Sequence, residues 1–414
     1  MQNFGTIQRM DIAPSEYKLE PKVYEKSAHT IDSSLIDSDA LFVVQQLQRA
    51  GFKAYIVGGS VRDLLLGHKP KDYDISTSAL PEEIKPLFHH CILIGRRFRL
   101  AHVRFGRKII EVSTFRMGDN QDDTLILRDN DWGNEEEDVI RRDFTINGLF
   151  YNPANETIID YVEGLQDIKL GILRTIGHAH IRFKQDPVRM IRLLKFRARF
   201  GLNVDKESIK ALFDCREEIL KSSPARVLEE VLRMLESGSS LRFFKLLAEH
   251  GVLQILAPKL SELFEHKVQG EIFDYLAAID EKRELCRSFL LSALLFPILR
   301  EHIHVLTAGK ESHFPHLGQI QDEAFFIIHD TFGPFLKIPK KIASSVVSIL
   351  TSQFRFTPLE KKKRIRYRIP NVPDFQIALD FLSLRALIEP GLEKLHEEWL
   401  YYWNKHQKWK TKSR

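Results

Sequence analysis

The segment YIVGGSVRDLLLGHKPKDYDIST, from Tyr55 to Thr77, constrains the fold of this chain more than any other. A strand-like run enters a Gly-Gly turn, a short helix follows, and an Asp-x-Asp closes the segment. A second strand-like run, KIIEVSTF, lies between Lys108 and Phe115. The first part of the chain is therefore predicted to be an α/β unit.

The turn and the Asp-x-Asp each have a chemical use. Gly58 and Gly59 lack a Cβ, so their backbone can approach a triphosphate closely, and the N–H groups that begin the next helix favour an anion. Arg62 adds a cation. On a strand, Asp72 and Asp74 share one face, where two carboxylates can hold the Mg²⁺ ions of an in-line phosphoryl transfer. An Asp-x-Asp alone is more typical of a turn or a solvated strand edge.

The motifs resemble those of the class II nucleotidyltransferase superfamily, which includes bacterial poly(A) polymerases and CCA-adding enzymes. GGSVRDLLLGHKPKDYDIST is similar to its head motif, and RRDFTINGLF, DYVEGLQDIKLGILRTIG and QDPVRMIRLLKFRARFG follow in the family's order. The resemblance is strong over residues 30–258 and weaker over 373–386. It implies that Arg142 and Asp143 contact the ribose and phosphates of an incoming nucleotide or support the active site, with Asp143 catalytic beside the Asp-x-Asp.

The last of these segments is predicted to be a helix that ends at Gly201, and this neck helix is predicted to read the base. Asp186 and Arg189 lie at i and i+3, on one helix face. Asp186 can accept from the adenine N6 amino group while Arg189 donates to N1. The alternative is that Asp186 caps the helix and Arg189 lies on the surface.

The chain departs from the family's pattern at two positions. Gln185 stands where the family usually has Glu. If that position orients Arg189 electrostatically, the amide weakens base selection; if it makes only a neutral hydrogen bond, little changes. Glu163 stands in DYVEG where related segments commonly have paired glycines, which predicts a stiffer loop.

A third metal ligand is predicted at Glu111. This carboxylate lies on an otherwise apolar strand, where burying a charge costs free energy unless the charge is paired or binds a metal. The alternative is a salt bridge to Arg116 or to another neighbour.

Basic clusters favour RNA as the partner, although the net charge is only +5. LIGRRFRLAHV, from Leu93 to Val103, resembles a signature of bacterial poly(A) polymerases and places its cations near the expected position of a primer 3′ end. KKKRIRYR begins at Lys361. The alternative for either cluster is a solvated loop or face. The predicted RNA-binding residues are Arg96, Arg97, Arg99, Lys361, Lys362, Lys363 and Arg364.

The cysteines and the longest apolar run indicate which cellular compartment the protein occupies. Cys91, Cys215 and Cys286 are far apart and form no CxxC, which argues against disulfides and zinc and favours a reducing cytoplasm. The longest apolar run, Leu285–Leu299, contains Arg287 and Pro297 and is predicted to be a buried helix rather than a membrane span.

The predicted fold class is α+β: a nucleotidyltransferase head with a mixed sheet, followed by an all-helical neck, body and tail. The predicted divisions are a polar leader (1–30), a catalytic head (31–160), a neck for base recognition (161–225), an RNA-binding body (226–350) and a basic RNA-binding tail (351–414).

The resemblance implies template-independent polyadenylation of RNA 3′ ends, with ATP as substrate, Mg²⁺ as cofactor and a two-metal mechanism. Two alternatives stay open. The first is a CCA-adding enzyme, which shares all of the motifs except the LIGRRFRLAHV signature. The second is an RNA-binding protein with a degenerate head, against which the intact Asp72 and Asp74 argue, since two adjacent like charges have no use there.

Overall fold

The computed structural model describes residues 20–95, 99–117, 131–308, 314–360, 367–370, 372 and 374–412, with side chains described up to residue 409. The chain forms two compact units. In the described chain, the first unit, here called the head, ends at Gly177, and the second, here called the helical unit, begins at His178. The first unit thus extends past the predicted boundary at residue 160.

The described part of the head contains an eight-stranded mixed sheet with the order β1-β8-β7-β2-β3-β6-β5-β4. β3 and β6 run parallel, and the other neighbouring strands run antiparallel. β1 falls within the range predicted as a leader, so the sheet begins earlier than expected. The strands are β1 (Lys22–Tyr24), β2 (Ala54–Val57), β3 (Asp74–Thr77), β4 (Cys91–Ile94), β5 (Leu100–Phe105), β6 (Lys108–Thr114), β7 (Leu149–Asn152) and β8 (Thr157–Asp160), with the short β9 (Ile172–Leu173) beyond them.

Side chains alternate across this sheet, so each face has its own apolar cluster. Ile56, Ile75 and Val112 belong to the larger cluster, which also contains the apolar face of α1, whereas Tyr55 and Phe150 belong to the smaller one. The helices of the head are α1 (Ser38–Arg49), α2 (Gly59–Leu65), α3 (Pro81–Ile84), α4 (Glu135–Ile140) and α5 (Gly164–Leu170).

The described part of the helical unit is helical apart from the short strand β10 (Asn203–Val204). α7 ends at Phe200, and Gly201 follows in the left-handed conformation with φ 72°, as predicted for this stop. The helices are α6 (Ala179–Gln185), α7 (Val188–Phe200), α8 (Lys206–Cys215), α9 (Pro224–Leu235), α10 (Ser240–Glu249), α11 (Val252–Leu256), α12 (Pro258–Leu263), α13 (Gln269–Asp280), α14 (Arg287–Thr307), α15 (Leu317–Phe332), α16 (Lys340–Phe356), α17 (Phe375–Ile388) and α18 (Glu393–Lys412).

α14 contains most of the apolar run for which a buried helix was predicted. It packs against α13, α15 and α16, and Phe289 to Leu299 are buried. At 21 residues it is longer than the run, and in the described chain it alone has the length and composition of a membrane span. Because 67% of its most apolar window is buried inside the protein, the helix has the environment of a core helix, which confirms the prediction.

Candidate active site

Two of the predicted carboxylates lie side by side on adjacent strands of the head. Asp74 begins β3, and its register partner on the parallel strand β6 is Glu111. Asp72 lies two residues before Asp74 and, like Asp74, is exposed, whereas Tyr73 between them is buried. This alternation agrees with the strand spacing used to group the two aspartates. The three carboxylates Asp72, Asp74 and Glu111 are here called the acidic row.

These carboxylates fit an open magnesium site better than a closed one. Among the described residues, no three His, Cys, Asp or Glu side chains come close enough to enclose a metal ion. Mg²⁺ does not need such a cage, because it retains waters and binds one or two carboxylates together with substrate phosphates. Asp72 and Asp74 suit that mode. The role of Glu111 as a further ligand stays a prediction, and Oε1 of Glu111 lies 3.6 Å from Nε2 of His102.

The glycine turn lies between β2 and α2, beside the carboxylates. Val57, the last residue of β2, is the register partner of Asp74, so the turn begins next to the acidic strand. Gly58 has φ 68°, which is strained for other residues, and a Cβ there would lie 3.2 Å from Nη1 of Arg142. Gly58 thus meets two demands at once: a left-handed backbone and a close approach by a cation.

Arg62 was predicted to bind the triphosphate, but its side chain is buried, with 5% exposed. Its Nε and Nη2 donate to Oδ1 of Asp63, and its Nη1 donates to Oδ1 of Asn147 at 2.7 Å. Asn147 in turn donates from Nδ2 to Oδ1 of Asp143 at 2.8 Å. The geometry therefore links Arg62 to a predicted catalytic aspartate through one amide, and its contact with phosphate stays a prediction.

Arg142 lies where three segments of the head meet. Nη2 donates to Oδ2 of Asp138 at 2.8 Å and to Oγ of Ser76 at 3.2 Å, and Nη1 donates to the carbonyl of Asn147 at 3.4 Å. Ser76 lies two residues beyond Asp74, on the same face of β3. These bonds fix a guanidinium close to the acidic row.

Sequence reasoning missed Asp138, which is fully buried. Its Oδ1 accepts from Nε of Arg141 at 2.9 Å. Burial acts to raise the pKa of Asp138, but Arg142 and Arg141 outweigh it and hold the pKa below its ordinary value. The signal was present in DVIRRD, which places cations three and four residues after the aspartate on a short helix.

α4, which carries Asp138, has a clear local cause. Asn134 and Glu137 form a capping box: Oδ1 of Asn134 accepts from the N–H of Glu137, and Oε2 of Glu137 accepts from the N–H of Asn134.

An aromatic stack supports the same face of the sheet. The three rings of Tyr55, Phe115 and Phe150 contact one another, with centroid distances of 6.3 Å for Tyr55–Phe115, 5.5 Å for Tyr55–Phe150 and 5.9 Å for Phe115–Phe150. The guanidinium of Arg142 lies 5.5 Å from the centre of the Phe150 ring. Burial, together with the hydrogen bond to Glu135, raises the pKa of Tyr55, so its hydroxyl stays a donor.

In the helical unit, Asp186 does not cap α7 and Arg189 does not lie on the surface, which was the alternative to base recognition. Asp186 makes no side-chain cap on α7, and its Oδ2 instead accepts from Nη2 of Arg226 at 2.8 Å. Arg189 is buried, with 6% exposed. Gln185 is also buried, and its Oε1 accepts from Nη1 of Arg182 at 3.0 Å. Gln185, which stands where the family usually has Glu, therefore still accepts a hydrogen bond from the buried guanidinium of Arg182.

Glu163, the second departure, has φ 62° and ψ 26°, in the left-handed region. Glycine adopts this conformation without strain, which explains why related segments have glycine here. The following Gly164 is required sterically, because a Cβ there would lie 2.1 Å from the carbonyl oxygen of Thr145. Glu163 also accepts from Nζ of Lys22 on β1 at 2.8 Å.

One of the seven predicted RNA-binding cations lies in the described chain. Arg99 is exposed, and its Nη1 lies 3.2 Å from Oε1 of Glu82, whose side chain is equally exposed. The others lie outside the described residues: Arg96, Arg97, Lys361, Lys362, Lys363 and Arg364.

Comparison with known proteins agrees with this geometry. Three family descriptions match the chain: "Poly A polymerase head domain" over residues 54–174, "Probable RNA and SrmB- binding site of polymerase A" over 201–264, and "Polymerase A arginine-rich C-terminus" over 322–414. Poly(A) polymerase I of Haemophilus influenzae is 37% identical over 390 residues, which cover 89% of this chain and 84% of that protein. Poly(A) polymerase I of Escherichia coli O6:H1 is 36% identical over 402 residues, with 90% and 83% covered.

CCA-adding enzymes are also similar, over less of the sequence. The enzyme of Leuconostoc mesenteroides is 37% identical over 224 residues, which cover 53% of this chain and 54% of that protein. Among solved structures, the Bacillus stearothermophilus CCA-adding enzyme in complex with CTP matches with a TM-score of 0.62 and 26% identity, covering 88% of this chain and 82% of that one.

The mixed sheet, the acidic row and the glycine turn define a nucleotidyltransferase with an α+β architecture. The chain belongs to the poly(A) polymerase family, and we assign it to the polynucleotide adenylyltransferase class of enzymes.

Proposed function

We propose that this enzyme adds AMP from ATP to the 3′-hydroxyl of RNA without a template and releases pyrophosphate. The observation that carries the proposal is the position of Asp74, whose register partners are Glu111 on one side and Val57, at the entrance to the glycine turn, on the other. In this proposal a triphosphate on the turn lies beside the acidic row. The poly(A) polymerase I relatives match about nine tenths of the chain, which favours poly(A) over CCA addition.

In this account each residue of the head has one task. The backbone of Gly58 and Gly59 receives the triphosphate, and Arg142, held beside Gly58, neutralises its charge. Asp72 and Asp74 hold the divalent metal. Bound Mg²⁺ would supply the Lewis acidity of a two-metal mechanism, which would lower the pKa of the RNA hydroxyl and stabilise the leaving pyrophosphate.

Asp143 and Glu111 complete the proposed catalytic set. Asn147 fixes the carboxylate of Asp143, and Arg62 fixes Asn147. Glu111 extends the acidic row toward β5 and is proposed as a further metal ligand.

Selection of adenine is assigned to Asp186 and Arg189 in the helical unit. Arg226 donates to one oxygen of Asp186, whereas Oδ1 of Asp186 is buried and accepts no hydrogen bond from the described residues. A buried acceptor oxygen of this kind suits the adenine amino group. Gln185 accepts a hydrogen bond from Arg182 through its amide oxygen. This position therefore adds no second negative charge beside that of Asp186.

RNA 3′ ends are the proposed second substrate, and the cytoplasm is the proposed compartment, where such an enzyme acts in RNA processing and turnover. The neck is proposed to lie within 161–225, and the RNA-binding body and tail within 226–414. The basic residues of the LIGRRFRLAHV and KKKRIRYR segments supply phosphate contacts, which makes RNA affinity dependent on salt.

The test is extension of a short unstructured RNA and of a transfer RNA that lacks its terminal CCA. Each is incubated with Mg²⁺ and ATP alone, CTP alone, or both. Long ATP-dependent tails on the unstructured RNA are the expected result. Three-nucleotide extension that is confined to the transfer RNA and needs CTP would instead show a CCA-adding enzyme, and absence of any extension with retained RNA binding would show a degenerate head.

A further inference from the structure

The acidic row is part of a longer row of register partners that continues across the sheet to its edge. Glu111 on β6 is the register partner of His102 on β5, and His102 is the register partner of Ile92 on β4. With Asp74 the row spans four strands: Asp74, Glu111, His102 and Ile92. At about 4.8 Å between strands, it extends about 14 Å from Asp74 to the edge.

The edge end of this row is apolar and open to solvent. Ile92 and Ile94 on β4 are 45% and 44% exposed, and Ile109 on β6 is 39% exposed. Their neighbours in the strands, among them Leu93 and Ile110, face the core on the other side of the sheet. An exposed apolar edge strand is unfavourable because it can pair with strands of other chains. The presence of such an edge beside the carboxylates indicates that it binds a ligand.

A cation lies beside the apolar residues. Arg104 lies two residues after His102, so it shares this face, and its side chain is exposed. Arg99 precedes β5, but it contacts Glu82 on α3, which packs on the opposite face of the sheet, so Arg99 does not belong to this surface. Apolar side chains beside a cation suit a single-stranded nucleic acid, whose bases pack on the former and whose phosphates pair with the latter.

We propose that this edge strip, formed by Ile92, Ile94, His102 and Arg104, holds the last nucleotides of the RNA primer. The strand then leads its 3′ end along the row to Glu111 and Asp74. The length of the row accommodates up to about four stacked nucleotides at about 3.4 Å each. This inference rests on the proposed function and deepens it, because it names the surface that receives the primer.

The test uses the full-length chain with Ile92 and Ile94 both replaced by Ser. Both side chains are solvent-exposed, so the fold is retained. Val23→Ser is the matched control, because Val23 is 55% exposed on β1, the strand at the opposite edge of the same sheet. For an unstructured primer of four nucleotides, we expect KM to rise about tenfold in the double variant, while the Kd for ATP and the KM of the control stay unchanged.

Primer length sharpens the test. Since the strip holds the terminal nucleotides, the difference between wild type and double variant grows from one to about four nucleotides and then stays constant. An unchanged RNA KM and an unchanged RNA affinity in the double variant would overturn the proposal and leave a protein partner as the occupant of the strip.

Equilibrium binding of fluorescent four-nucleotide RNA separates this inference from the proposed function. If the wild type adds no AMP to RNA but the double variant still loses RNA affinity, then the proposed function fails and the strip stands. If the wild type extends RNA and the double variant binds the primer normally, then the edge strip is not the primer site, whereas the proposed function is retained.

Discussion

Asp138 holds Arg142 in place: the two side chains are joined at 2.8 Å, and the same nitrogen of Arg142 bonds Ser76, two residues beyond Asp74. The buried carboxylate thereby connects the RRDF segment to the acidic strand. Arg142 was predicted from the family resemblance, whereas the group that orients it was found only in the structure. Positioning of this kind contributes to catalysis because a reacting group that is already oriented loses less freedom on binding.

Asp138→Asn is predicted to raise the KM for ATP about tenfold, because the charged hydrogen bond that orients Arg142 is replaced by a neutral one. The change in kcat is smaller, since Asp72, Asp74 and Asp143 are untouched. Steady-state kinetics with varied ATP measures both parameters.

A double-mutant cycle controls this prediction. If Asp138 acts through Arg142, then Asp138→Asn adds little to the KM of an Arg142→Gln variant. Additive effects of the two substitutions on KM would contradict the positioning role.

The same pair makes a prediction about acid stability. The pKa of Asp138 is lowered in the folded state, so the contribution of the ionised carboxylate is fully present above the unfolded pKa of about 3.9 and is lost as the pH falls through the lower folded value. The free energy of unfolding of wild type should exceed that of Asp138→Asn by a constant amount above about pH 5, and the gap should close below about pH 4. Urea unfolding of both proteins at several pH values measures the gap. A gap that stays constant down to about pH 2.5 would show that folding does not lower the pKa of Asp138.

Glu163→Gly is predicted to stabilise the head by roughly 1 kcal/mol, because it removes a left-handed non-glycine residue, while the exposed ion pair with Lys22 that it also removes contributes little. Glu163→Ala is the matched control, since it loses the same ion pair but keeps the backbone strain. Thermal unfolding should therefore rank Gly above wild type and Ala at or below it. Equal melting temperatures for the Gly and Ala variants would contradict this explanation.

Asn147→Ala is predicted to lower kcat by about tenfold or more, because Asp143 loses the amide that fixes its carboxylate. If Arg62 acts only through this amide, then Arg62→Ala causes no further loss in the Asn147→Ala background. A further rise in the KM for ATP in the double variant would show instead that Arg62 contacts the triphosphate, as predicted from the sequence.

Local spacing predicted those parts of the structure that depend on local physics. The strand period separates exposed Asp72 and Asp74 from buried Tyr73, and the glycine stop at Gly201 takes the expected left-handed backbone. Both features are determined by a few neighbouring residues.

Contacts between distant segments were not predictable in the same way. The β1 strand lies in a range predicted as a leader because its partner, β8, is more than 130 residues away in the sequence. Asp138 lies in the run EEED, which resembles a solvated acidic face, and only the folded chain shows that it is buried. Arg62 follows a turn that suits phosphates, yet it is oriented inward by Asn147, which is 85 residues later.

The most direct test of the central claim is the initial rate of incorporation of labelled AMP into RNA by Asp74→Asn, compared with wild type and with Glu82→Gln, which removes an exposed carboxylate outside the acidic row. We predict a loss of at least about a hundredfold for Asp74→Asn, an unchanged rate for Glu82→Gln, and unchanged circular dichroism for both. A rate for Asp74→Asn close to that of wild type would contradict the assignment of the acidic row as the catalytic centre.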